Sequence, residues 1–397
     1  MKTSLRYLGL DVHQASITLA VADAGRGPAE VLATIPNDYQ KLLQLLDKLG
    51  PKERLRLCYE AGPTGYGLAR RLNELGYCCE VISPSLVPVQ RGRRVKTDRR
   101  DARKLAHFLR SGDLTAVAIP EAQTEAMRDL ERSRDDAKRA ERVARQQLDK
   151  FMLRHGRIWS GVTKWTQTHL AWLREQEFAE PLLRHVRDDY LLALDQATAR
   201  VERLTKDIEN FVEQWAAKDL VLAFEALRGV QVVSAVVLAA EIGDFARFAE
   251  PAKLMSFIGL VPSESSSGGS RRQGSITRTG NGHVRRILVE AAWHYRIRPR
   301  GSKAIEARRR RVSPEVRAIA EKAEQRLSRR FERLIRRGKK SQQAVTAVAR
   351  ELLGFVWAIA REQARQAAAK SNATVANSNS PRRRTPQAMA TIGFSEA

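Results

Sequence analysis

A mixed α/β domain at the N-terminus, a long helical coiled-coil-like middle and a mostly α-helical C-terminal region are what this 397-residue sequence predicts. Three observations predict it. Over residues 1–120, short apolar runs bounded by turn residues alternate with segments of helical spacing. From 121 to 226 glycine becomes scarce, and Leu, Val or Ala recur at helical spacing among many charges. From 227 to 366, short helical segments surround a Ser/Gly-rich stretch, and the polar, Pro-containing residues 367–397 read as a disordered tail.

In the first part, RYLGLDVH, SITLAVADA and EVLATIPN read as three successive strands. YQKLLQLLDKLG is a helix that stops at Gly50, RLRLCYEAGP a buried strand, TGYGLARRLNELG a helix ending at Gly76, and YCCEVISP a further strand. VKTDRRDARKLA then carries a helix. Three strands followed by helix, strand, helix, strand and helix is the order of a ribonuclease-H-like α/β domain. In the middle, MRDLERSRDDAKRAERVARQQLDKFMLRHG and YLLALDQATARVERLTKDIENFVEQW are long amphipathic helices joined by a Trp-containing bend. That pattern fits a coiled-coil-like arm or an ordinary helical bundle. Beyond it come small helices with tight turns, the stretch SESSSGGSRRQGS as a flexible loop, the helix GNGHVRRILVEAAWHYR, and the basic helical stretch ARRRRVSPEVRAIAEKAEQRLSRRFERLIRRGKK.

Composition narrows the partners. Lys and Arg number 70 against 45 Asp and Glu, a net charge of +25, so a polyanion is expected and nucleic acid first. An anionic membrane would ask for a strongly amphipathic basic helix or a lipidation signal, and neither is evident. Cys58, Cys78 and Cys79 argue against a disulfide framework. No run approaches the ~20 apolar residues of a membrane span, the longest being GVQVVSAVVLAAEIG, and MKTSLRYLGLDVH lacks a signal-peptide pattern. The expectation is a soluble, cytoplasmic protein without a nucleotide-hydrolysing P-loop and without a zinc site.

Four acids stand out. Asp11 closes the first strand signal and Glu60 the fourth, and loops beyond strand ends in α/β sheets are where sites gather. Asp98 and Asp101, three apart, share one helix face. Together these carboxylates need compensating positive charge, which a hard divalent cation supplies through oxygen ligands. Mg2+ fits best and Mn2+ substitutes. Two ions about 3.5–4 Å apart activate an attacking oxygen and stabilise a leaving one in phosphodiester cleavage. Singly, each acid also reads as a strand-end surface residue, a helix cap or an arginine partner.

The second constellation is GLVPSESSSGGSRRQGSITRTGNGHVRR. Arg271, Arg272, Arg278, Arg285 and Arg286 surround it as candidate nucleic-acid contacts, since guanidinium forks match phosphate oxygens. The Gly-Asn-Gly turn leads into a helix whose first amides suit another phosphate. Ser267, just before Gly268 and Gly269, is a candidate attacker of a DNA phosphate, with Ser266 and Ser265 beside it as alternatives.

GLDVH, YEAGPTGYGLAR and KTDRRDARKLA resemble the N-terminal Asp-Glu-Asp-Asp domain of the insertion-sequence-110 family transposases, relatives of the Piv-type DNA invertases. The stretch from LRGVQVV to VEAAW resembles their C-terminal transposase domain, so the likeness runs in order over about residues 5 to 295. The resemblance implies a RuvC-like fold with Asp11, Glu60, Asp98 and Asp101 as the magnesium-binding acids. It also implies Ser267 as nucleophile, because it fills the serine of the family's Pro-x-x-x-x-Ser-Gly pattern. Gln231 in RGVQ departs from the family's Gly-x-Gly turn. Implied too are recombination of the protein's own insertion sequence with a target DNA, guidance by a noncoding bridge RNA, a serine–DNA link and a dimer or tetramer. The rival readings are a RuvC-like Mg-dependent junction nuclease with no serine nucleophile, and a non-catalytic nucleic-acid-binding protein.

Overall fold

The computed structural model describes residues 4–88, 97–267, 270–298 and 301–378, without the side chains of 267, 270, 271 and 373–378. The chain forms two compact units, Met1–Glu121 and Ala122–Ala397.

The first unit runs β1 (Arg6–Val12), β2 (Ser16–Asp23), β3 (Glu30–Pro36), α1 (Tyr39–Leu49), β4 (Leu55–Glu60), α2 (Gly67–Glu74), β5 (Cys78–Ile82) and α3 (Asp98–Ser111). This is the element order expected from the sequence. The strands form one sheet in the order β3-β2-β1-β4-β5. β1 to β3 pair antiparallel, as short connections permit, and β4 and β5 join β1 in parallel because helices intervene. Side chains alternate across a strand, so the sheet has two faces. Leu8 and Leu10 of β1 pack with Leu55, Leu57 and Tyr59 of β4 against Leu42 and Leu46 of α1 and Ala69 and Leu72 of α2. On the other face, Ala20 and Ala22 of β2 meet Ala102 and Ala106 of α3, while Cys58 and Ile82 meet Leu105. Gly9 faces α3, where a Cβ would collide with the backbone of Ala102 and Ala106. Glycine on the strand and alanines on the helix therefore let β1 and α3 approach almost backbone to backbone. Local signals agree: Asp38 caps α1 by accepting from the Lys41 amide at 3.0 Å, and Gly112 ends α3 in the left-handed region.

The second unit opens with α4 (Ala122–Arg154), then α5 (Gln167–Glu175), α6 (Pro181–Val212), α7 (Lys218–Glu225), α8 (Val232–Ile242), α9 (Pro251–Ile258), the hairpin β6 (Pro262–Ser267) and β7 (Ser270–Ile276), α10 (Gly282–Ala292), α11 (Lys303–Arg309), α12 (Pro314–Arg336) and α13 (Ser341–Ser378). Helices α4 and α6 run antiparallel, Ala137 packing on Val201 and Leu204, and Leu148 and Phe151 clustering with Leu191 and Leu194. At the bend between them, Trp159 and Trp172 lie 5.1 and 5.7 Å from the buried His169 ring. At the other end of the pair, Met127, Ile208 and Val212 enter the core of α7 to α10, α12 and α13, so the long helices form one unit with the C-terminal region.

Three expectations change. The stretch expected as a flexible loop forms the β6–β7 hairpin, with Glu264 opposite Gln273 and Ser265 opposite Arg272. Its Ser/Gly composition suggested mobility, whereas a Gly-Gly pair between two polar runs is itself a hairpin signal. The tail expected from residue 367 is helical as far as Ser378, because α13 continues through it, and residues 379–397 lie outside the described residues. By length and composition, α13 is also the one helix among the described residues that is long and apolar enough to cross a membrane. Its Val348, Leu352, Val356 and Ile359 are nevertheless buried in the core, which an alanine-rich helix with interspersed polar residues permits.

Candidate functional site

Asp11 stands on β1 with Gly9, on the face turned to α3, because positions two apart share a strand face. Glu60 ends β4 on the same face as Cys58, whose thiol lies 3.8 Å from the Leu105 carbonyl of α3. The parallel register pairs Leu10 with Tyr59, so Asp11 and Glu60 each stand one position beyond that pair. Helix α3 begins at Asp98 with Thr97 at its N-cap, which places Asp98 and Asp101 in its first turn. The Gly9 contact with Ala102 and Ala106 then brings that turn over the end of β1.

The grouping that results is Asp11, His13 and Asp98, whose ligand atoms all lie within 4.8 Å of one another. His13 Nε2 is 3.2 Å from Asp11 Oδ2 and 3.7 Å from Asp98 Oδ1. Burial pushes the Asp11 carboxyl up; His13 beside it pulls it back, and the charges of Asp98 and Asp101 push it up further. A carboxylate crowded by others in this way forms a site that a divalent cation relieves. Oxygen donors suit hard ions and the imidazole widens the choice toward transition metals. Of the four acids singled out, Asp11 and Asp98 come together and Asp101 lies in electrostatic reach. Glu60 shares the face without entering the three-residue group. The sequence motifs do not single out His13. Its signal was its position: two residues after Asp11, on the same side of an extended chain.

In the second unit, Ser267 ends β6 opposite Ser270; Gly268 and Gly269 and the side chains of Ser267 and Arg271 lie outside the described residues. Ser266 Oγ donates to Glu264 Oε1 at 2.8 Å. Arg272 is exposed on β7, and Arg278 is exposed with a left-handed φ of 58°. The other two arginines expected at nucleic acid have intramolecular partners. Arg285 donates to the carbonyls of Ile258 (2.8 Å), Thr279 and Gly280 (3.3 Å), where the α9 C-terminus crosses the turn before α10 so tightly that a Cβ on Gly280 would strike the Phe257 carbonyl. Burial lowers the Arg285 pKa accordingly. Arg286 pairs with Asp135 at 2.5 Å and Glu290 at 3.2 Å. Both stand near the serine in sequence, and the fold uses their guanidinium forks internally. The α10 amides expected to bind phosphate are likewise engaged: Asn281 Oδ1 accepts from His283 N at 2.9 Å and Val284 N at 3.1 Å. Gln231, where the family pattern has glycine, has φ −116°, a backbone that any residue adopts.

The same Asn281 reveals a buried polar knot. Its amide donates to Glu241 of α8 at 2.7 Å, and Arg132 of α4 grips that carboxylate at 2.7 and 3.0 Å. Next to it, His283 lies 2.7 Å from the buried Glu131 of α4. Buried charge is tolerated only when paired in this way. The knot thus fixes α4 to α8 and α10.

Comparison with known proteins finds two matched segments, the first of which runs past the first unit to the end of α4. Residues 222–306 match the family described as transposase IS116/IS110/IS902, and residues 8–155 match a transposase family of the DEDD type from IS110 elements. A Sinorhizobium fredii protein named as a transposase, y4qE, is 45% identical over 90% of this chain and 88% of its own length. The transposase for insertion sequence element IS1533 of Leptospira borgpetersenii is 33% identical over 84% of this chain and 98% of its own.

Proposed function

The chain belongs to the IS116/IS110/IS902 family of transposases, and from that premise we propose that it excises and inserts its own insertion sequence through a serine–DNA link made at Ser267 and assisted by the acids of the first unit. DNA is its substrate. The observation that carries the reading is the meeting of Asp11 and Asp98 from β1 and α3 with His13, inside the segment matched by the DEDD family.

Asp11, Asp98 and His13 would hold a divalent ion, Mg2+ or Mn2+, with Asp101 and Glu60 as the further acids of a RuvC-like site. When bound, the ion supplies positive charge to a scissile phosphate. The Ser267 hydroxyl attacks the phosphorus, a phosphoserine bond forms, and the DNA strand leaves with a free hydroxyl carrying the proton that serine gave up. Rejoining runs the same exchange in reverse, with a hydroxyl of the recipient strand attacking the phosphoserine and the serine released. The energy of the broken bond is retained in the ester, which agrees with a sequence that contains no P-loop motif. Arg272 and Arg278, exposed at the hairpin, are the phosphate contacts of this reading. A bridge RNA guides the choice of target by base pairing, and strand exchange at two duplexes takes a dimer or tetramer.

Two variants of the full chain test it on a labelled element-end duplex with Mg2+. Ser267→Ala is expected to abolish cleavage and the detergent-stable protein–DNA adduct, and Asp11→Asn to lower cleavage by at least 100-fold. Full cleavage by Ser267→Ala would instead establish a metal-dependent nuclease, with the hairpin only gripping DNA.

A further inference from the structure

The basic stretch before residue 340 has no part in the reading above. The structure folds most of it into α12, where Lys322, Arg326, Arg329, Arg333 and Arg336 follow one another at spacings of four, three, four and three. Those spacings keep one helix face. All five are exposed, and with Arg330 and Arg337 they line a cleft whose only carboxylate is Glu351 of α13. Glu351 pairs with Arg326 and Arg330 at 3.0 Å each. Among the described residues, no carboxylate lies within 4.0 Å of Arg329, Arg333 or Arg337.

Such a stripe is costly to keep by itself. Like charges at helical spacing repel, and a face selected only for solubility mixes signs. Arginine rather than lysine predominates, and guanidinium forks fit phosphate oxygens. The stripe also leads somewhere. A second cleft shares Arg326, Arg330 and Glu351 and continues past Arg350 to Arg278 and to Gly274, Ser275 and Ile276 of β7. These are at the base of the hairpin that ends in Ser267, since Ile276 pairs with Pro262. From Lys322 to Arg336 the helix rises about 21 Å, roughly six base-pair steps. From Pro262 to Ser267 the strand rises about 17 Å, roughly five such steps.

We propose that the arginine-lined trough between α12 and α13 is a track for the phosphate backbone of duplex DNA, gripping the duplex that flanks the phosphate reached by Ser267. The assignment to DNA rests on the reading of the hairpin as the strand-cutting element, because only DNA has to be presented there. An RNA backbone shares the phosphate chemistry and is therefore an arm of the test.

The test measures binding by the full-length chain of a fluorescein-labelled 30-base-pair duplex across a salt series, without relying on cleavage. Replacing Arg329, Arg333 and Arg337 by Gln is expected to weaken binding at least tenfold at physiological salt. It should also make the slope of log affinity against log salt shallower by about 2–3, one counterion's worth per lost phosphate contact. A control carries Arg184→Gln, Arg200→Gln and Lys206→Gln on the exposed side of α6, removes the same charge, and should lose less than threefold. If the triple α12 variant melts early, Arg333→Glu alone is expected to give the same loss. Equal losses in the trough and control variants would overturn the proposal, as would weakened binding of a labelled RNA duplex with DNA binding intact. Ser267→Ala keeps the trough, so unchanged DNA affinity in that variant separates failure of the catalytic reading from failure of this one.

Discussion

A carboxylate taken partly out of water beside two others is held there against its own preference, and Asp11 is such a group. His13 relieves part of that strain, which explains why a histidine follows two residues later on the same face. In the second unit, His283 plays the reverse part. The hydrogen bond to Glu131 raises its pKa above 6.5, the charges of Glu131 and Asp135 add to this, and burial and Arg286 oppose it. Burial also raises the Glu131 carboxyl, against the pull of His283. A histidine raised on folding contributes stability that is full below its unfolded pKa and lost as pH rises through its folded one. The melting temperature is therefore expected to fall as pH rises from about 6 to about 8, and His283→Gln should flatten that limb. Thermal melts across this range check it, and an unchanged slope in the variant would refute the pairing.

At the scale of elements, placement of the acids depends on one contact. β1 and α3 approach through Gly9, Ala102 and Ala106, and this sets the distance between Asp11 and Asp98. Gly9→Ala adds one methyl where backbone already stands. Overpacking of this kind costs about 1–3 kcal/mol. The expected outcome is a lower urea midpoint together with at least tenfold slower cleavage, because the helix moves off the strand and takes Asp98 with it. Wild-type cleavage at reduced stability would show that the acids do not depend on this approach. In the second unit, the corresponding fixture is the knot of Glu241, Arg132 and Asn281, which ties α4, α8 and α10 together.

For the molecule as a whole, the net charge of +25 and the division into two units are the governing features. Each unit has its own core: Leu8, Leu57 and Leu72 belong to one, and Leu238, Leu288 and Leu352 to the other. A segment with its own closed core can fold alone. Residues 1–121 expressed separately are expected to unfold in one cooperative transition, observed by circular dichroism in urea. A broad, non-cooperative melt would show that the sheet domain needs the rest of the chain.

Much of this was legible in the sequence because its causes are local. Periodicity, glycine stops and apolar runs announced the order of strands and helices, and the pairing of Asp98 with Asp101 followed from helical spacing alone. Other features depend on partners far away in the chain, and only the tertiary structure decided them. His13 joined Asp11 and Asp98 because α3 folds back over β1. The serine stretch became a hairpin because each strand supplies the other's hydrogen-bond partners. Arg285 and Arg286, candidate nucleic-acid contacts by sequence, engage the carbonyls of Ile258, Thr279 and Gly280 and the carboxylates of Asp135 and Glu290, while the basic helical stretch of α12 lines a trough leading to β7. Charge and periodicity are written residue by residue. Which charges remain unpaired is settled only when distant segments pack, because burial and hydrogen bonding are properties of the assembled chain.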